Sequence, residues 1–176
     1  MATKATIYKA NVNIANMDTH YYAEHSLVLA QHPSENDLRL MVRLCAFILN
    51  ADENLEFTKG ISQDDEPDLW KKSMGAEIEL SIILGQPDEK RIKKASGTSD
   101  EVIIYTYQEG MASSWFKQNE KVLKRFKNVK VVFLSFSSDI EEICSRSMEL
   151  QCNTDDRVLT VISGDSSIVV GVDEWR

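Results

Sequence analysis

No stretch of this 176-residue chain approaches the ~20 consecutive apolar residues that a membrane-crossing helix requires, so no membrane partner is expected. The opening residues Ala2–Lys9 lack the apolar block of a secretory signal, and a cytoplasmic location follows as the expectation. Cysteine is scarce: Cys45, Cys144 and Cys152 are odd in number and form no CxxC pair, which suits reduced thiols rather than a disulfide frame. The three histidines, His20, His25 and His32, have no HExxH or related spacing, so a structural zinc site is not expected. GxGxxG, GxxxxGK[ST] and GxSxG are all absent, which removes nucleotide-fold kinases and α/β-hydrolases.

What is present is an ordinary globular balance. Hydrophobic residues make up 43% and charged residues 27%, enough for a substantial core and most simply one domain. The net charge of −8 argues against a non-specific nucleic-acid coat. Its distribution is uneven. Residues 90–130 hold ten Lys or Arg against four Asp or Glu, a local +6, which leaves −14 for the remainder. Such a strip either meets a phosphate backbone in one orientation or simply solubilises two helices.

Along the chain, alternation predicts a strand over 4–14, with Tyr8, Ala10, Val12 and Ile14 on one face. A second strand over 22–30 completes an antiparallel hairpin. Ser34, with Asp37 three residues later, resembles a capping box for a helix reaching about Asn50. Leu38, Met41, Val42, Cys45, Ile48 and Leu49 form its apolar face, and Glu35, Arg39 and Arg43 its polar stripe. Residues 51–70 are acidic and irregular, with a short strand near Leu69-Trp70. Three strands at 77–84, 101–107 and 129–136, separated by helices at 88–96 and 111–127, predict parallel pairing by right-handed crossovers. A short acidic helix near 138–144 and strands at 145–153, 157–163 and 167–172 finish the chain. The fold class is therefore α/β: a mixed central sheet with flanking helices and antiparallel strands at both ends.

The densest chemistry lies between Asp64 and Gly97. Over 77–84, Ile78, Leu80, Ile82 and Leu84 face one way, and Glu77, Glu79, Ser81 and Ile83 the other. Gly85-Gln86-Pro87 turns the chain, with Pro87 at a first helical position, and Asp88-Glu89 precede Lys90, Arg91, Lys93 and Lys94. Upstream stand Asp64-Asp65-Glu66-Pro67-Asp68. Metal-assisted phosphodiester cleavage needs carboxylates around Mg²⁺ or Mn²⁺ and a cation near the attacked phosphate. Glu35, Asp65, Glu66 and Glu79 are the candidate acids, with Asp65, Glu66 and Glu79 as metal ligands and Lys93 as the assisting cation. Equally, acids on a strand face are usually solvated, and an acid-first, lysine-last helix matches its own dipole.

Ala5-Thr6-Ile7-Tyr8-Lys9-Ala10, His32-Pro33-Ser34-Glu35, Asp64-Asp65-Glu66-Pro67, the run from Gly85 through Ala95, and Met148-Glu149-Leu150-Gln151 together resemble the bacterial YaeQ family over nearly the whole chain. The resemblance implies a variant of the PD-(D/E)xK nuclease-like, restriction-endonuclease-like core. It places the first-helix acid at Glu35, the motif acid at Asp65 or Glu66, and a strand acid at position 83. Here position 83 is Ile83, and the position two residues on, where the motif carries lysine, is Gly85. The lysine would then come from the following helix, at Lys93.

Two functions follow as expectations. One is a nucleic-acid-binding or partner-binding regulatory protein with a degenerate metal site, its partner a nucleic acid or a protein of transcription or repair. Arg91, Lys94, Lys117, Lys121 and Lys124 would be its contacts. The other is a Mg²⁺-dependent phosphodiesterase acting on nucleic acid. Ile83 favours the first.

Overall fold

The computed structural model describes residues 4–59 and 66–176. In chain order its elements are β1 (Thr6–Asn16), β2 (Tyr21–Gln31), α1 (Asp37–Leu49), β3 (Leu55–Phe57), β4 (Leu69–Lys72), β5 (Ile78–Leu84) and α2 (Glu89–Thr98). Then follow β6 (Ser99–Thr106), α3 (Glu109–Leu123), β7 (Val129–Phe136), a 3-10 turn at Ile140–Ile143, β8 (Ser147–Asp155), β9 (Val158–Ser163) and β10 (Ser166–Glu174). Mixed sheet and three helices make an α/β protein. The backbone gathers into two compact units: residues up to Ala51 with Phe136–Val172, and Asp52–Ser135 with Asp173–Arg176.

In the first unit the strands run β2-β1-β8-β9-β10. The expected hairpin forms, with Val12 opposite His25 in antiparallel register. β8 returns to lie parallel to β1, Val12 opposite Leu150, a pairing that no local signal announces. Ala10, Val12 and Ile14 are buried, as are Met148, Leu150 and Cys152. Each aliphatic side chain so buried is worth about 1.5–3 kcal/mol relative to exposure. α1 packs on this apolar layer, and the Phe47 ring meets His25 edge-on at 5.3 Å. Two turns are tied together by Asp18, whose carboxylate accepts the Asp156 and Arg157 N–H groups at 2.8 and 2.9 Å.

α1 departs from the expected design. Its N-cap is Asn36, whose side chain accepts the Arg39 N–H at 2.9 Å, while the Ser34 hydroxyl bonds the His32 ring instead. Every residue from Leu40 to Ile48 is buried, so the helix has no solvated stripe over that span. Arg43 is consequently inside the protein, along with Glu35.

In the second unit the order is β7-β6-β5-β4-β3. β5, β6 and β7 pair in parallel, as the βαβαβ pattern predicts, and β4 and β3 are added antiparallel. Ile83, Ile92, Val102, Ile104, Trp115 and Val131 belong to one buried cluster that holds α2 and α3 on the parallel strands. Trp115 donates its indole N–H to the Pro87 carbonyl at 2.8 Å. Pro87 therefore precedes the cap and is not the first helical residue: Asp88 is the N-cap, accepting the Arg91 N–H. α3 stops at Leu123, short of the expected 127. Trp175 stacks on Phe133 with ring centroids 4.9 Å apart.

Candidate functional site

The strand read as two-faced from Glu77 to Leu84 is interrupted. Lys71 pairs with Leu80 but Lys72 with Ile78, so Glu79 is an extra residue against β4, a β-bulge. A bulge breaks the period of two, and the faces change accordingly. Ile78 joins Trp70, Ser81 and Ile83 around one cavity. Glu79 instead approaches Lys71, with its carboxylate 3.7 Å from the ammonium. The expected alignment of Glu79 with Ile83 is therefore corrected. From Leu80 to Leu84 both faces are buried, so Ser81 and Ile83 line no polar surface. Ile83 itself is 0% exposed.

Gly85 has φ +91°, a left-handed conformation that glycine adopts without cost, and its N–H bonds the Tyr105 carbonyl at 2.8 Å. A lysine here would be strained. The turn explains the glycine without reference to chemistry.

The cavity has a volume of about 140 Å³. Glu66, Pro67 and Trp70 form one wall, Ile78, Ser81 and Ile83 the floor, and Arg91, Lys94, Ala95 and Thr98 the helical wall. Those α2 positions recur at helical spacing, which is why Lys94 lines the cavity and the favoured Lys93 does not. Lys93 is exposed on the outer side. Asp65 lies outside the described residues. Glu66 is half-buried: its Oε2 accepts the Lys59 N–H at 3.3 Å, and its carbonyl accepts from Arg91 Nη2 at 3.1 Å.

Behind this wall sits Asp68, fully buried. Its Oδ2 accepts the Leu84 N–H at 2.8 Å and lies 3.6 Å from Arg91 Nη2. Asp68 thus ties the start of β4 to the end of β5 and to α2. Arg91 is half-buried by the same contacts, and its Nε has no acceptor. The residues that sequence reasoning left out of the site are Trp70, Ser81 and Thr98. The one signal for them was the pairing of a tryptophan-bearing strand with the alternating strand.

Glu35 belongs to the first unit. Its two oxygens are held by Arg39 Nη1 at 2.7 Å and Arg43 Nη2 at 2.8 Å, and Arg43 also donates to the Ala30 carbonyl. A buried carboxylate between two guanidiniums is satisfied as a structural anchor. The acids present do not fit a Mg²⁺ centre. Glu35 is engaged by arginines, Glu79 by Lys71 and Asp68 by a backbone N–H and Arg91. Among the described residues no three His, Cys, Asp or Glu side chains group to hold a metal ion. No step is therefore derived through one. Lys117, Lys121 and Lys124 are exposed at helical spacing on α3 and its C-cap, and no acidic side chain of the described residues pairs with them.

A family model described as YaeQ protein matches residues 1–172. The chain belongs to the YaeQ family. YaeQ of Escherichia coli (strain K12) is 40% identical over 178 residues, covering 100% of this chain and 98% of its own length. YaeQ of Salmonella typhi is 38% identical over the same span. The crystal structure of YaeQ from Xanthomonas axonopodis pv. citri superposes with a TM-score of 0.92 at 39% identity, covering 98% of both chains. That of YaeQ from Pseudomonas syringae gives 0.90 at 26% identity, over 98% of this chain and 96% of its own.

Proposed function

We propose that this YaeQ-family protein binds nucleic acid through the outer surface of α2 and α3 and does not cleave it. The observation that carries the proposal is the row Lys117, Lys121 and Lys124, exposed on one side of α3 without acidic partners among the described residues. α2 adds exposed Lys90 and Lys93, and both helices pack on one apolar cluster that keeps them rigid. A fixed array of ammonium groups neutralises successive phosphates and releases their counterions. Arg91 is removed from the contact set, because Asp68 and the Glu66 carbonyl occupy it. The nuclease-like core that the family resemblance implies supplies the frame, with Ile83 where the strand acid would stand. Buried Ile83, the turned-away Glu79 and the left-handed Gly85 support binding over cleavage.

Fluorescence polarisation with a labelled single-stranded oligonucleotide tests it. Lys117→Glu combined with Lys121→Glu is expected to weaken binding at least ~10-fold at low salt. Glu66→Ala is expected to leave binding unchanged, and wild type to leave the strand intact with Mg²⁺ or Mn²⁺. Metal-dependent cleavage abolished by Glu66→Ala would establish the phosphodiesterase instead.

A further inference from the structure

We infer that the cavity between β4, β5 and α2 is a binding site for a single pyrimidine nucleotide. For its ligand class the inference rests on the nucleic-acid reading above, but the site is separate from the α3 lysines. Its about 140 Å³ is close to the ~150 Å³ that admits a benzene ring in an engineered apolar cavity. The floor is apolar, from Ile78 and Ile83, and the fixed aromatic wall is Trp70. Trp70 is held in place by its indole N–H, which donates to Glu56 at 2.8 Å, and by the Lys72 ammonium 3.8 Å from its ring centroid.

Polar groups stand at the edge of this slot in a complementary arrangement. Glu66 offers a carboxylate oxygen to a ring N–H, since only its Oε2 is engaged by the Lys59 N–H. Arg91 and Lys94 on the opposite wall offer positive charge to the phosphate attached to that ring. Arg91 already spends Nη2 on the Glu66 carbonyl and on Asp68, which fixes the guanidinium in place, and it retains Nε without an acceptor. A ring-sized apolar slot beside two cations suits a base carrying its phosphate. A bare anion would leave the floor unfilled, and a bare ring would leave the cations unmatched. Charge complementarity thus selects a nucleotide over a neutral aromatic.

Thymidine 5′-monophosphate, thymidine and inorganic phosphate are titrated separately into the full chain, followed by tryptophan fluorescence and calorimetry. The monophosphate is expected to bind with 1:1 stoichiometry and to change fluorescence in wild type but not in Trp70→Phe, which keeps a ring but not the indole. Thymidine and phosphate are each expected to bind at least about tenfold more weakly. Lys94→Glu, at an exposed position, is expected to weaken the monophosphate by roughly fivefold to tenfold. Equal binding by Trp70→Phe and Lys94→Glu with an unchanged fluorescence response would place the nucleotide elsewhere and overturn the proposal. So would phosphate binding as tightly as the monophosphate. Lys117→Glu with Lys121→Glu separates the two claims. Oligonucleotide binding lost there with no mononucleotide binding in wild type would leave the helical surface standing and remove the pocket. Mononucleotide binding without any oligonucleotide binding would do the reverse. Competition by an oligonucleotide bearing a 5′-phosphate, against one without, reads whether a strand end or a free nucleotide is the occupant.

Discussion

Asp68 carries more of the second unit than its place in an acidic run would indicate. Its carboxylate is wholly out of solvent, bonded to the Leu84 N–H and next to the Arg91 guanidinium. Removing it leaves a buried amide and a half-buried cation without their acceptor. Asp68→Ala is expected to cost about 3–5 kcal/mol in urea denaturation, and Asp68→Asn less, because one oxygen remains to accept the amide. A loss below about 1 kcal/mol for Asp68→Ala would mean that solvent or a neighbour replaces the acceptor. Two buried thiols give a pH signature at the same scale. Burial pushes Cys152 from 9.0 up to about 12 and raises Cys45 further, helped by its neighbour Cys152. Below pH ~9 both folded and unfolded chains hold these protons, so their contribution is fully present. Above it the unfolded thiols ionise while the folded ones do not, and stability falls by about 1.4 kcal/mol per pH unit for each thiol. Wild type compared with Cys45→Ala/Cys152→Ala by urea denaturation between pH 8 and 10.5 isolates this slope from other titrating groups. Parallel curves would contradict it.

At the level of elements, α1 shows which signals survive folding. Its existence follows from the density of apolar residues, but its start does not follow from the Ser34 signature. Asn36 takes the cap because its amide oxygen reaches the Arg39 N–H, whereas Ser34 turns to His32. Asn36→Ala is expected to cost about 1 kcal/mol and Ser34→Ala only a few tenths, read from thermal or urea unfolding. The reverse ranking would restore Ser34 as the cap. The Glu35-Arg39-Arg43 spacing was legible as an ion-pair row, but its burial was not. Glu35→Ala should therefore cost about 3–5 kcal/mol by stranding Arg43, far above the few tenths expected of an exposed row. Local periodicity made the β1–β2 hairpin and the βαβαβ succession readable, because each depends on residues close in sequence. The β8–β1 pairing brings together distant segments, and the bulge at Glu79 depends on how β4 registers against β5. Neither has a local signature. The candidate site suffered most for that reason. A single inserted residue moved Glu79 off the face of Ile83 and brought Ile78 and Trp70 in.

On the scale of the whole molecule, charge segregation sets how a polyanion is met. The chain carries −8 overall, yet the α2 and α3 surfaces present lysines without matching acids at Lys117, Lys121 and Lys124. Repulsion from the acidic remainder weakens binding in every other orientation, so affinity should be modest and strongly salt-dependent. For single strands log K falls with log salt by about 0.7 for each phosphate neutralised. Replacing Lys117, Lys121 and Lys124 together by alanine should thus flatten the slope by about 2, while Trp70→Phe and Lys94→Glu alter it by less than ~1. Polarisation titrations at four or more salt concentrations measure both. A slope unmoved by the triple variant would show that the phosphates lie elsewhere on the protein. A slope that collapses only with Lys94→Glu would make the cavity, rather than the α3 row, the point where the strand is held.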